Sequence, residues 1–462
     1  MYDTLIIGAG MSGLAAGIRL AHYDQKVCVL ERHTTIGGLN SFYRLRGRDF
    51  DVGLHAVTNF TPKGAKKGPL ARLLRQLRFK WEDFALAPQI GSRVAFPGIQ
   101  LDFENDIRRL ESEIRREFPK QADAFQRLLN EVVDYDDLQE EHFRQSARER
   151  LQAIFSEPLL IEMLFCPLMW YGNARENDMD WGQFCIMFRS IFLEGMARPY
   201  KGVRLILKHL VRRFRELGGE LRLRSGVQSI HVDGDRAVGV VLDDGTQIEA
   251  KNILSSAGIV ETMRMCDDQT VAAPVRVGQM SFIETMSVLD CQPRSLGHDR
   301  TIVFYNDSPQ FHWRKCDELV DLRTGVICSP NNFQYAPEDG ELTEGVIRIT
   351  AIANHDRWSA LDESAYRVEK LRWYDRTAAA AVRFMPDFRG HVVDTDMFTP
   401  TTIRRFTWHD NGAVYGAPEK RLDGTTHLKN LFLCGTDQGY VGIIGSIVSG
   451  ISMANHHCLR ET

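Results

Sequence analysis

Three features of this 462-residue chain predict an α/β fold in which a discontinuous Rossmann-type dinucleotide-binding domain carries an inserted α+β domain. Apolar Tyr2 to Ile7 reads as a strand that runs into Gly8-Ala9-Gly10-Met11-Ser12-Gly13 and then into a small-residue helix, Leu14 to His22. A second apolar strand, Lys26 to Leu30, ends at Glu31 and completes a βαβ unit within about 30 residues. Far along the chain, Asn430 to Cys434 reads as a last buried strand feeding another helix of small residues.

Between these ends the patterning changes several times. Asp102 to Phe118 has helical spacing, with Ile107, Leu110 and Ile114 on one face, and charged helices continue to about Glu157. Glu220 to Ser256 is strand-rich, and its Asp233-Gly234 and Asp244-Gly245 pairs are turn signals between β-branched runs. From Pro274 to Ile352 short strands alternate with polar loops, and helical patterning returns at Glu363 to Phe384. We therefore assign residues 1–85, 196–265 and 386–462 to the dinucleotide domain, and 86–195 and 266–385 to a substrate domain.

Composition narrows the class of protein. Lys+Arg 57 against Asp+Glu 61 gives a net charge of −4, so no global basic field is present to hold nucleic acid. Hydrophobic residues at 44% and charged residues at 26% match folded soluble domains and exclude disordered and polytopic membrane classes. The uncharged stretch Gly439 to Asn455 is rich in Gly and Ser and reads as a buried helix rather than a span. Nine cysteines without any C-x-x-C motif exclude a zinc knuckle and a dithiol pair, and apolar neighbours mark them as buried thiols in a reducing compartment. Asp3 precedes the first apolar run, which is itself the first strand, so no leader is expected and the expected location is cytoplasmic.

In the glycine loop each residue type has a mechanical purpose. Gly8, Gly10 and Gly13 permit a tight turn, close approach of backbone to a diphosphate and close helix packing, with Met11 and Ser12 at the helix start. Glu31 is placed to hold a ribose hydroxyl, with Arg32 beside it. A second glycine pair follows in Gly37-Gly38-Leu39-Asn40-Ser41, where backbone can again lie against a phosphate or a ring, and a simple NAD domain does not need it.

These residues resemble the FAD-containing amine oxidase and phytoene desaturase superfamily. The resemblance continues through Phe50-Asp51-Val52-Gly53-Leu54-His55, Arg198-Pro199-Tyr200-Lys201-Gly202-Val203, Gly226-Val227-Gln228-Ser229-Ile230 and Leu433-Cys434-Gly435-Thr436-Asp437, and looks closest to the carotenoid isomerase and retinol saturase branch. It implies FAD as cofactor, with Val227, Gly435 and Asp437 at the cofactor and the helix start Gly442-Ile443-Ile444 directed at the flavin. Where the common family pattern has Arg after the paired glycines, this chain has Leu39. The implied activity is oxidoreduction at carbon–carbon bonds of a polyene lipid; the alternative is amine oxidation at a C–N bond.

Neither a G-x-S-x-G elbow nor an H-E-x-x-H helix occurs, so no hydrolytic nucleophile and no metal site is expected. His55 and Tyr440 are the candidates for hydrogen bonding or proton transfer near the ring, each equally readable as a packed structural residue. Trp408-His409-Asp410 and Tyr415-Gly416 are readable as lining of a substrate channel or as loop packing. No second G-x-G-x-x-G is present for a nicotinamide domain, which leaves the electron acceptor open among a quinone, oxygen and others. Lys63 to Lys80 is basic and acid-free, with Leu70, Leu73, Leu74 and Leu77 at helical spacing. Two uses fit that pattern: a surface helix packed on the core, and peripheral docking on an anionic membrane that delivers a lipophilic substrate.

Overall fold

The computed structural model describes residues 1–136, 145–268 and 275–459. Pro274, where the strand-and-loop region was expected to begin, lies outside the described residues. Two seven-stranded sheets organise the chain. In the first, Tyr2–Ile7 lies at the centre and pairs in parallel with Val27–Leu30 on one side and Gln247–Ser255 on the other. Glu220–Arg222 extends the sheet beyond Val27–Leu30, and Leu431–Leu433 pairs in parallel with the end of Gln247–Ser255. The hairpin Val227–Asp233 and Arg236–Leu242 closes the far edge, turning where the Asp-Gly signal lies, with Gly234 at φ 60°.

The second sheet runs in the order Val392–Phe398, Ser281–Leu289, Gly345–Ala353, Val320–Cys328, Ile302–Asn306, Ser92–Phe96 and Ile99–Phe103. Six of these strands come from the two inserted ranges. The seventh, Val392–Phe398, belongs by sequence position to the dinucleotide domain, yet it pairs antiparallel with Ser281–Leu289. Its register places Glu284 opposite Phe398. One expected helix is also shorter. Asp102 lies in Ile99–Phe103, and the helix spans only Ile107–Glu117, because Asp106 accepts from the Arg108 backbone N–H and caps it there.

The helix Pro158–Gly172, apolar except for Glu162, which is ion-paired with Arg148, is buried beside Trp181–Phe188 in the main core of the inserted domain. A separate core beneath the first sheet unites helix Met11–Ala21, helix Val203–Glu216 and helix Gly442–Met453. Helix Met11–Ala21 and helix Gly442–Met453 touch closely because Gly450 has no side chain: a Cβ there would lie 2.0 Å from the Ser12 carbonyl oxygen. The chain end is thereby held against the glycine loop. Helix Gly442–Met453 is the longest helix in the uncharged C-terminal stretch, and no helix of the described residues is long and apolar enough to cross a membrane. All nine cysteines are free, and all except Cys291 are buried.

Candidate active site

A cleft of about 500 Å³ opens at the carboxyl ends of Tyr2–Ile7, Val27–Leu30 and Leu431–Leu433. Gly8, Gly10, Met11, Ser12, Glu31, Arg32, Gly37, Gly38, Leu39, Asn40, Ser41, Val227 and Gly435 all line it. Gly13 lies just behind, where a Cβ would come within 2.1 Å of the Gly8 carbonyl oxygen. A Cβ on Gly10 would meet nothing within 4 Å, so this residue faces open cleft. The first helix starts here without an acidic residue in its first turn, which suits an anion at its N-terminus.

Glu31 is buried, and its two carboxylate oxygens accept from the Ala9 and His33 backbone N–H groups at 2.9 Å each. Arg32 donates to the Val227 carbonyl at 3.0 Å, and its guanidinium lies 4.2 Å from the centre of the Trp408 ring. Trp408 and His409 therefore form a wall of this cleft. Met397, Phe398, Ile403 and Phe406 also line it, with the Phe406 ring 5.5 Å from that of His33, so the glycine-loop residues share the cleft with an apolar group.

Several expected residues are placed elsewhere. Asp437 does not line the cleft: it is 2% exposed and accepts from the Ile259 and Ala417 backbone N–H groups at 2.8 Å each, with Lys420 Nζ 3.4 Å away. The preceding Thr436 lines the cleft instead. Ile443 and Ile444 are buried in the core, and from their helix it is Ser446 that reaches the cleft. Gly442, at φ 75°, starts that helix near Thr58. Tyr440 is half-buried outside the cleft, against Gly445. Tyr415 packs among Trp170, Phe282 and Trp313, and its hydroxyl donates to the Trp170 carbonyl.

His55 is not in the cleft either; it sits where the two sheets meet. Its Nε2 is 3.0 Å from Thr350 Oγ1 and 3.4 Å from Glu284 Oε1, both on strands of the second sheet. Glu284 is ion-paired with Arg348, and both side chains are at least 95% buried. Burial pushes the Glu284 carboxyl up, but Arg348 and His55 outweigh it and hold the group at about 2. Arg348 also donates to the Leu54 carbonyl at 2.7 Å. Arg198, itself paired with buried Asp51 at 2.6 Å, donates to that same carbonyl at 2.7 Å. The motifs around Asp51 and Arg198 are thus two halves of one contact.

A family model described as flavin containing amine oxidoreductase matches residues 11–456. The chain belongs to this family. It is 22% identical to prolycopene isomerase of Daucus carota over 98% of this chain and 79% of that protein. It is 24% identical to a lycopene-forming phytoene desaturase of Pantoea ananas over 96% of this chain and 97% of that protein. The crystal structure of an oxidoreductase from Methanosarcina mazei superimposes with a TM-score of 0.67 at 16% identity, covering 98% of this chain and 99% of that one. The protein is an FAD-dependent oxidoreductase of this family.

The residues present fit FAD. Gly10 leaves room for the diphosphate, Glu31 is at hand for the ribose, and His33 Nε2 is a buried nitrogen on the cleft wall without a hydrogen-bond partner. The helical segment of the basic stretch, Pro69–Leu77, buries Leu70, Leu73, Leu74 and Leu77 in the core and exposes the cations. Its apolar face is therefore not available to a bilayer.

Proposed function

We propose that the protein transfers hydride to or from a carbon–carbon bond of a polyene or polyisoprenoid lipid, as a desaturase, saturase or redox isomerase. The observation that carries this reading is the mixed lining of the cleft, where the glycine loop and Glu31 share one space with Met397, Phe398, Ile403 and Phe406. The names of two relatives, prolycopene isomerase and lycopene-forming phytoene desaturase, support the same class of substrate. FAD, when bound, supplies the hydride chemistry, and the protein's part is to hold and orient. The glycine loop and Glu31 bind the dinucleotide, and the apolar group excludes water from the reacting carbons. His55, held by Thr350 and Glu284 outside the cleft lining, is able to donate or accept a hydrogen bond, and this reading gives it a positioning part. The exposed cations Lys63, Lys66, Lys67, Arg72 and Arg75 give a membrane contact that is electrostatic and reversed by salt.

Anaerobic mixing of the FAD-loaded protein with polyenes, and separately with a panel of amines, tests the substrate class. Bleaching of the oxidised flavin by a polyene, reoxidation of the pre-reduced flavin by one, or isomerisation of one by the reduced protein supports the proposal, and His55→Ala should slow that change about 10-fold or more while FAD stays bound. Bleaching by an amine alone, with peroxide released in air, would overturn it in favour of C–N oxidation.

A further inference from the structure

His409 is 8% exposed, yet it lines the cofactor cleft beside Ala257 and Thr436. Two elements converge on its ring. From helix Ile259–Met265, Glu261 Oε1 lies 3.5 Å from Nδ1. From the turn after the last strand comes Asp437, and Gly258 lies between them: a Cβ there would sit 2.9 Å from His409 Cε1, 2.5 Å from Glu261 Oε2 and 3.2 Å from Asp437 Oδ2. The missing side chain is what allows an imidazole and two buried carboxylates to share this space.

The charges around the ring favour its cationic form. Burial disfavours the imidazolium, but Glu261 and Asp437 outweigh it and raise the group above its ordinary value, with Lys420 opposing. The other nearby charges, Arg264 and Asp410, are paired with each other. Elsewhere on the cleft, Arg32 is occupied by the Val227 carbonyl and Trp408, Lys370 lies 3.7 Å from Asp396, and His33, whose Nε2 is also on the cleft wall, has no carboxylate paired with its ring among the described residues. Leu39 and Thr436 bring no charge.

We propose that His409, clamped between Glu261 and Asp437 at Gly258, supplies the positive charge that faces the diphosphate of the bound dinucleotide. The inference rests on the FAD assignment. With Nδ1 turned to Glu261, Nε2 is on the other side of the ring, free to donate a charge-assisted hydrogen bond to a phosphate oxygen. Binding then depends on pH in a set direction: the cation is present below the imidazole pKa and is lost as pH rises through it.

Equilibrium binding of FAD, ADP and adenosine to cofactor-stripped protein, from about pH 6 to about pH 9, tests this. For the native chain, affinity for FAD and ADP should fall about 10-fold across the range, whereas adenosine should be unaffected. His409→Gln should bind ADP about 10-fold more weakly at low pH, bind adenosine normally and show a flat profile. Glu261→Gln, which keeps the ring and removes its counter-charge, should move the midpoint to lower pH. Native ADP affinity in His409→Gln, equal losses for ADP and adenosine, or an unmoved midpoint in Glu261→Gln would each overturn the proposal. A native chain that binds neither FAD nor ADP at any pH would overturn the FAD assignment itself.

Discussion

Arg198 and Arg348, from different parts of the fold, donate to one acceptor, the carbonyl oxygen of Leu54, at 2.7 Å each. Each guanidinium brings its own buried carboxylate, Asp51 and Glu284 respectively. The segment that ends in His55 is thus gripped from both sides, and the residue is fixed at the junction of the two sheets. Breaking one buried pair leaves a charge uncompensated, so Arg348→Met should cost about 3–5 kcal/mol, read as a lower Tm. The double variant Arg348→Met, Glu284→Leu, which removes both charges, should recover much of that loss.

The same pair sets an acid limit. Glu284 is held at about 2, below its ordinary value of 4.5, so it stabilises the fold above the ordinary range and loses that contribution as pH falls toward 2. Tm measured from about pH 5 down to about pH 2 should fall more steeply for the native chain than for Glu284→Gln. Parallel curves would show that another group governs acid unfolding.

Two glycines in the loop should respond in opposite ways to one added methyl. A Cβ on Gly13 meets the Gly8 carbonyl oxygen, so Gly13→Ala should destabilise by about 1–3 kcal/mol. Gly10→Ala finds open space at φ −77°, which alanine tolerates. It should leave the apoprotein's Tm within about 1 kcal/mol of native stability yet weaken FAD binding, because the methyl enters the diphosphate's room.

Asp437 and Thr436 provide a second contrast. Asp437→Ala removes the acceptor of two backbone N–H groups and the partner of buried Lys420, a loss of about 3–5 kcal/mol. Thr436→Ala should change stability by less than about 0.5 kcal/mol. Thermal melts of the two apoproteins distinguish them.

What the sequence revealed follows from how local each signal is. The glycine loop and Glu31 are legible because strand, turn, helix and acid lie within one βαβ unit, and the structure places Gly8, Gly10 and Glu31 on one cleft. Asp437 is buried while the neighbouring Thr436 lines the cleft, since spacing locates the turn after the last strand but does not reveal which side chain turns inward. The strand Val392–Phe398 lies within the range read as the dinucleotide domain yet pairs with Ser281–Leu289, a partner too distant in sequence for local patterning to reveal. Long separation also hid the grip on Leu54: Asp51 and Arg198 are 147 residues apart, and Leu54 and Arg348 are 294. Trp408 and His409 stood out as a pair, but only the stacking on Arg32 shows that they wall the cofactor cleft.

The central claim is oxidoreduction at carbon–carbon bonds of a polyene, and cells that accumulate cis and trans polyenes offer the most direct test. After expression of the protein, the mass and absorption spectrum of the extracted pigments should change: by two hydrogens for a desaturase or saturase, or in spectrum alone for an isomerase. Pigments unchanged in both mass and spectrum, from cells in which the protein carries bound FAD, would contradict the claim.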